Sequence, residues 1–191
     1  NRLESARVRT RAGCLLLSLL AAPAAALDPG TRLSQYGQDL WQVEQGLPQN
    51  SVQSIAQTRD GYLWLGTQEG LARFDGVRFT VFDRDNTPEI RHNSIQALLE
   101  TRDGSLWIAT YVGGLTRFKD GRFTRYTTRE GLPNNVICHI LDDTRGQLWM
   151  SSHQGIFRVS KAALHAFARG ESQSLSCVGY GKFDGLPTLE C

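Results

Sequence analysis

The chain has 191 residues, 40% of them apolar and 21% charged, which is the usage of one ordinary globular domain. Its formal charge of +2 is unevenly placed: residues 1–26 carry a net +3, leaving 17 basic and 18 acidic groups in residues 27–191. The basic balance belongs to the leader, and the rest of the chain offers no electrostatic footprint for nucleic acid.

In the leader, a charged stretch ends at Arg11, an apolar run follows from Cys14 to Ala22, and Ala24, Ala25 and Ala26 precede Leu27 and Asp28. This is the layout of a secretory signal peptide over 1–26, with a helix in its apolar part; an uncleaved anchor is the alternative, but the run is short for a bilayer span. Cys14 precedes the apolar run, the wrong place for a lipoprotein cysteine. Removal of the leader would leave Cys138, Cys177 and Cys191. An odd number in an exported chain implies a free or intermolecular thiol, or a partner outside the sequence. A Cys177–Cys191 bridge stays open. Because the chain starts with Asn, it reads as a fragment.

Residues 27–45 form a lead-in in which Tyr36, Leu40, Trp41 and Val43 predict an outer strand. From Gly46 a block recurs three times: GLPQNSVQSIAQTRDGYLWLGTQEGLARFDGVRFTVF, then EIRHNSIQALLETRDGSLWIATYVGGLTRFKDGRFTRY from Glu89, then GLPNNVICHILDDTRGQLWMSSHQGIFRV from Gly131. Trp64, Trp107 and Trp149 stand at matching positions, 43 and 42 residues apart. That period is the length of one propeller blade.

Each block divides into four extended runs. In the first they are Val52 to Thr58, Tyr62 to Thr67, Leu71 to Asp75 and Arg78 to Asp83, separated by turns such as Asp60-Gly61 and Asp75-Gly76. In the second run one face carries Leu63 and Leu65, and their equivalents Leu106, Ile108, Leu148 and Met150. The other face carries a Trp followed by a small residue: Trp64 and Gly66, Trp107 and Ala109, Trp149 and Ser151. Both faces are apolar and both demand cover, which stacked blades supply and an isolated sheet does not. A helical solenoid is excluded by a Gly-containing turn about every ten residues.

The third block departs after Val159, where Ser160 to Gly170 predict a short helix with Leu164 and Phe167 on one face. A strand at Leu175 to Tyr180 then completes the blade, and Gly185-Leu186-Pro187 begins a fourth repeat. The fold class is therefore all-β: a partial β-propeller of about three four-stranded antiparallel blades plus flanking strands. The repeats run 46–88, 89–130 and 131–184, with a fourth starting at 185. Three blades are too few to close a ring, so the propeller is expected to continue beyond the C-terminal end.

The elements GLPQNSV, TRDGYLWLGT, GLARFDG and RFTVF, in that order, closely resemble the two-component regulator propeller repeat, over nearly all of Gln38 to Cys191. The second repeat departs by having Glu89-Ile90-Arg91 in place of Gly-Leu-Pro. The resemblance implies the sensory end of a bacterial inner-membrane receptor: an exported periplasmic propeller followed, in such proteins, by an immunoglobulin-like domain, a membrane helix and a histidine kinase or diguanylate cyclase output. It further implies a small-molecule or glycan ligand, the remaining blades and downstream receptor domains as partners, and a homodimer in the full receptor.

Asn50, Asn93 and Asn135 precede the first strand of each blade, where a turn role outweighs ligand contact. Asp60, Asp103 and Asp120 precede Gly in tight turns and read as structural. His92, His139, His153 and His165 fall at four different repeat positions with no metal-ligand spacing, so no metal site, cofactor or catalytic group is assigned. The residues shared between repeats explain stacking and turning. Ligand specificity is expected where the repeats disagree, at Arg91, His92, Tyr111, His139 and His153. The leading function is a non-catalytic sensing segment; the alternatives are an exported propeller enzyme, a lyase or hydrolase, and a protein-interaction scaffold.

Overall fold

Three meanders of short strands, each turning at an Asp-Gly or Gly-containing loop, produce three separate four-stranded antiparallel sheets in the computed structural model, which describes residues 37–188. The unit carrying the repeats runs from Leu40 to Cys191, and a first unit ends at Asp39. The expected signal peptide, and Tyr36, lie outside the described residues. The first blade contains β1 (Val52–Gln57), β2 (Leu63–Thr67), β3 (Leu71–Phe74) and β4 (Phe79–Phe82). The second contains β5 (Ile95–Glu100), β6 (Leu106–Thr110), β7 (Leu115–Lys119) and β8 (Arg122–Tyr126). The third contains β9 (His139–Asp142), β10 (Gln147–Ser152), β11 (Gly155–Ser160), the helix α1 (Lys161–Ala168) and β12 (Cys177–Tyr180). Strands pair in chain order within each blade, and β1, β5 and β9 adjoin one another on the inner side.

The core lies between the blades. Trp64 meets Ile95, Leu106 and Ile108 of the second blade, and Trp107, Ala109 and Leu115 meet Leu148 and Met150 of the third. The small residue beyond each Trp sets the approach: a Cβ on Gly66 would lie 2.7 Å from Ile95 Cγ2. Each buried indole also has a polar partner. Trp64 Nε1 donates to Thr58 Oγ1 at 3.1 Å and Trp107 Nε1 to Thr101 Oγ1 at 3.0 Å. In the third blade Asp143 replaces the threonine and accepts from Trp149 Nε1 at 3.3 Å.

The lead-in corrects one expectation. Residues 37–42 carry no strand, and Val43–Gln45 form a single 3₁₀ turn closed by Gly46 at φ 102°. No described strand is available to pair with this segment. Its donors are met locally instead, Gln42 N–H by Gln45 Oε1 at 2.8 Å and Val43 N–H by Asn50 Oδ1 at 2.9 Å. Trp41 nevertheless packs where an outer strand of a preceding blade would place an aromatic. It meets Phe74 edge-on at 5.0 Å, and Phe74 packs on Phe79 at 4.6 Å, as Phe82 of the first blade packs on Phe123 of the second at 5.4 Å.

The helix expected after Val159 is present, and its role is specific. Phe74 and Phe79, then Phe118 and Phe123, are cross-strand pairs at the outer edge of the first two blades; the third has Val159 paired with Cys177 there. The smaller pair leaves Tyr126 of the second blade without its aromatic cover. Helix α1 supplies the cover: Tyr126 Oη donates to the Leu164 carbonyl at 2.9 Å and the Phe167 ring lies 5.3 Å from the Tyr126 ring. Burial pushes the Tyr126 hydroxyl up to about 12 and the Cys177 thiol up to about 11, so neither is an acid or nucleophile near neutrality. Cys191 lies outside the described residues, and with it the bridge to Cys177.

Candidate functional site

One rim of the blades gathers the loops in which the repeats differ. Because β1 and β5 begin opposite the ends of β2 and β6, the loops leading into the first strands and the loops joining second to third strands share one end. The repeated asparagines hold this rim by hydrogen-bonding back to the preceding turn. Asn50 Oδ1 accepts from Val43 N–H at 2.9 Å, Asn93 Oδ1 from Arg84 N–H at 3.0 Å and Asn135 Oδ1 from Thr128 N–H at 2.8 Å. Their side-chain oxygens are thus committed to backbone, as the turn reading requires.

The second blade breaks the rule of its neighbours at this rim. Between β6 and β7 it has four residues, Tyr111 to Gly114, where the first blade has Gln68 to Gly70. Gly114 closes this loop, as Gly70 closes the shorter one: its φ is 84°, and a Cβ there would run into the Tyr126 carbonyl oxygen. The extra residue pushes Tyr111 and Val112 outward, 45% and 46% exposed. Tyr111 is flanked on both sides, by His92 at 6.0 Å and by His153 of the third blade at 6.1 Å between ring centroids. His92 Nδ1 accepts the Ser94 N–H at 3.1 Å, which orients that ring and leaves Nε2 as its donor. An exposed aromatic face bordered by two imidazoles can stack on a planar or apolar ligand face while offering polar contacts at its edges.

Three of the five expected site residues, His92, Tyr111 and His153, are therefore brought together, and two are not. Arg91 lines a pocket of about 200 Å³ with Arg125, Arg129 and Thr128. His139 stands on the outer face of the third blade, where it lines an apolar depression of about 380 Å³ with Leu141, Trp149 and Ile156. Leu141 is 64% exposed there, and Trp149 stacks on Tyr180 at 5.4 Å. The sequence reading missed Arg125. Its signal was a repeat mismatch, since the equivalent position in β4 is Val81.

His165, on α1, forms a second polar group on the opposite side of the blade edge. Its Nε2 lies 3.4 Å from Asp103 Oδ2, which also accepts from Ser105 Oγ at 2.7 Å and Lys119 Nζ at 3.3 Å. Burial opposes ionisation of Asp103, but hydrogen bonds from Thr101, Ser105 and Lys119, with His165 nearby, hold its carboxyl well below the usual range. Burial, reinforced by Arg117, lowers His165, and the Asp103 attraction does not overcome it. The pair is a neutral imidazole beside a carboxylate near neutrality, and its role is to seat α1. Among the described residues, no group of three His, Cys, Asp or Glu side chains is placed to hold a metal ion.

Stacked four-stranded meanders with inter-blade tryptophans, turn asparagines and a variable rim define a segment of a β-propeller. The family description "Two component regulator propeller" matches at residues 46–69, 89–112 and 131–154, one stretch in each of the three repeats. A 44-residue stretch is 48% identical to "Histidine kinase P4" of Formosa agariphila, covering 23% of this chain and 3% of that protein. The extracellular domain of a hybrid two-component system from B. thetaiotaomicron superposes with a TM-score of 0.67 at 22% identity, over 80% of this chain and 20% of that one. A second such domain from B. thetaiotaomicron gives 0.61 at 26% identity, over 74% and 20%. The chain spans about a fifth of those extracellular domains. It is thus similar to extracellular domains of two-component systems, and among the described residues no helix is long and apolar enough to cross a membrane.

Proposed function

We propose that this chain is a ligand-sensing propeller segment, itself non-catalytic, of a transmembrane signalling receptor on the periplasmic side of a bacterial inner membrane. The output of such a receptor is a histidine kinase or a diguanylate cyclase, and the ligand is a small molecule or glycan. The carrying observation is the division of labour between repeats. Residues the three repeats share, the Trp and Asn positions, are consumed by stacking and turns, whereas Tyr111, His92 and His153 differ between repeats and meet on one rim. The similarity to extracellular domains of two-component systems supports the same reading. Occupancy of the rim bridges the second and third blades through Tyr111 and His153, a contact by which a ligand changes blade packing or dimer contacts. The remaining blades of the ring are the partners proposed for the two open blade faces.

The test is a calorimetric screen of the chain against neutral and acidic oligosaccharides, followed by Tyr111→Ala and His153→Ala on any ligand found. Binding weakened about tenfold or more by both substitutions, with the ligand recovered unchanged, supports the reading. A ligand that is cleaved on incubation would instead favour a propeller enzyme. Binding indifferent to both substitutions would remove the rim from the site.

A further inference from the structure

Beside the aromatic cluster, and sharing the Tyr111 to Gly114 loop with it through Val112 and Gly113, the second blade carries a pocket in which three of the eight lining residues are arginines. Arg91, Arg125 and Arg129 line it with Thr127, Thr128 and Asn135, enclosing about 200 Å³. An adjoining depression of about 440 Å³ shares Arg91 and Arg125 and adds Arg84 and Asp85. Three arginines lining one small space favour an anion between them.

The acids nearby do not fill that need. Asp85 is taken by Arg84 at 3.6 Å. Arg125 acts on the Glu130 charge, but that carboxylate is spent on Thr127, accepting from its N–H at 2.7 Å and from its Oγ1 at 2.6 Å. Among the described residues, none of Arg91, Arg125 and Arg129 enters an ion pair. Arg125 Nε is moreover buried with no hydrogen-bond partner. A buried guanidinium N–H without an acceptor calls for an explanation.

The repeats reveal how the pocket arose. Where the first and third repeats read Gly-Leu-Pro, the second reads Glu89-Ile90-Arg91. Ile90 keeps the buried apolar foot that Leu47 and Leu132 provide elsewhere, at 0% exposure against 4% and 3%. The loop's packing is conserved between blades while its proline position has become Arg91, and the β4 position of Val81 has become Arg125 in β8. Gly113 lets the two loops close, since a Cβ there would stand 3.1 Å from Arg91 Cβ. Neither arginine is required by the blade.

We infer that this pocket binds an oxyanion, the carboxylate, sulfate or phosphate group of a small ligand, held by Arg91 and Arg125 with Arg129 also lining the space. The smaller cavity suits the charged group alone, and the adjoining depression has room for the body that carries it. Planar guanidinium forks bind such groups in bidentate fashion.

The test is calorimetric titration of the full chain with sodium sulfate, sodium phosphate and sodium glucuronate, each against sodium chloride at matched ionic strength. Saturable one-site binding of at least one of the three is expected, and the tightest of them identifies the source of the oxyanion. Arg91→Gln and Arg125→Gln each weaken it about tenfold or more. Arg78→Gln, in the exposed turn beside Asp75, leaves it unchanged. Arg91 is exposed, so its variant carries the test should Arg125→Gln lose its far-UV circular dichroism. Sulfate binding stays level from about pH 5 to about pH 9, because guanidinium does not titrate there. Tyr111→Ala leaves it intact, so failure here and failure of the aromatic rim are separable. No saturation above chloride with any of the three anions, binding unaffected by either arginine substitution, or a fall in sulfate binding between about pH 6 and about pH 7 that assigns it to histidine, would overturn the inference.

Discussion

Three tryptophans at one repeat position meet three different covers, and truncating each to alanine separates blade stacking from local sheet stability. Trp107 is 0% exposed, closed in by Leu148 and Met150 of the third blade and by His165 of α1, at 6.1 Å ring to ring. Burying roughly 200 Å² of indole at about 25 cal/mol per Å² is a transfer gain of ~5 kcal/mol, and measured large-to-small costs for such residues run about 3–5 kcal/mol. Loss of the Nε1 bond to Thr101 adds about 1 kcal/mol. Trp64, 1% exposed against Ile95, Ile108 and Phe118, faces the same loss. Trp149 is only half-buried; its cover is Tyr180 at 5.4 Å and the Arg158 guanidinium at 5.6 Å. With about half the area at stake, Trp149→Ala costs ~2 kcal/mol, so the inter-blade positions exceed it by about 2–3 kcal/mol. Urea unfolding of the three variants followed by far-UV circular dichroism, with m-values compared to confirm the same transition, measures the gap. Equal costs at Trp107 and Trp149 would refute the assignment of the core to the spaces between blades.

Gly114→Ala is expected to cost about 2–3 kcal/mol, from a positive φ and a Cβ driven against the Tyr126 carbonyl; the same urea experiment reads it, together with loss of the Tyr111 position. Asn135→Ala removes the acceptor of Thr128 N–H and costs about 1 kcal/mol, seen as faster amide exchange at Thr128. Acid lowers stability in two steps. His165 is depressed below 6.5, so its contribution is present above that value and is lost as pH falls through the folded value. Asp103 is depressed below 3.8, so its contribution is present above that value and is lost as pH falls further. Urea midpoints across a pH series should therefore fall first below neutrality and again in acid, with His165→Gln removing the first step and Asp103→Asn shrinking the second, to which the depressed Glu130 and Asp143 also contribute.

The fold was legible because its determinants repeat. The Trp and small-residue pair, the turn glycines and the alternation of faces recur at one period, and each has the same physical consequence wherever it stands. The candidate site was legible in part. Tyr111 and His92 stand out as mismatches between repeats, but their meeting with His153 depends on how far the second blade's longer loop reaches across a blade boundary, which no single repeat encodes. His139 is equally unusual in the alignment and lands on an open blade face. Arg125 escaped notice because a cation at a strand edge is ordinarily solvated; only the convergence of three such side chains makes it informative. The lead-in failed as a strand because strand formation needs a paired neighbour, while the Trp41 knob needs only the Phe74 and Phe79 edge to pack on.

That edge also explains why the third repeat tolerates its insertion. Trp41, Phe82, Tyr126 and Tyr180 each stand at the end of an outer strand or its equivalent, and Phe82 fits a pair of phenylalanines on the following blade. Tyr126 meets Val159 and Cys177 instead, a pair too small to fill the space, and without further cover its hydroxyl and ring would face a gap. Helix α1 closes that gap from outside the sheet, with Leu164 and Phe167 replacing the missing rings and the Leu164 carbonyl taking the hydroxyl. The loss of two aromatics and the gain of a helix are one change. Cys177, which the sequence leaves open as one end of a bridge, is thereby a half-buried filler between strand and helix.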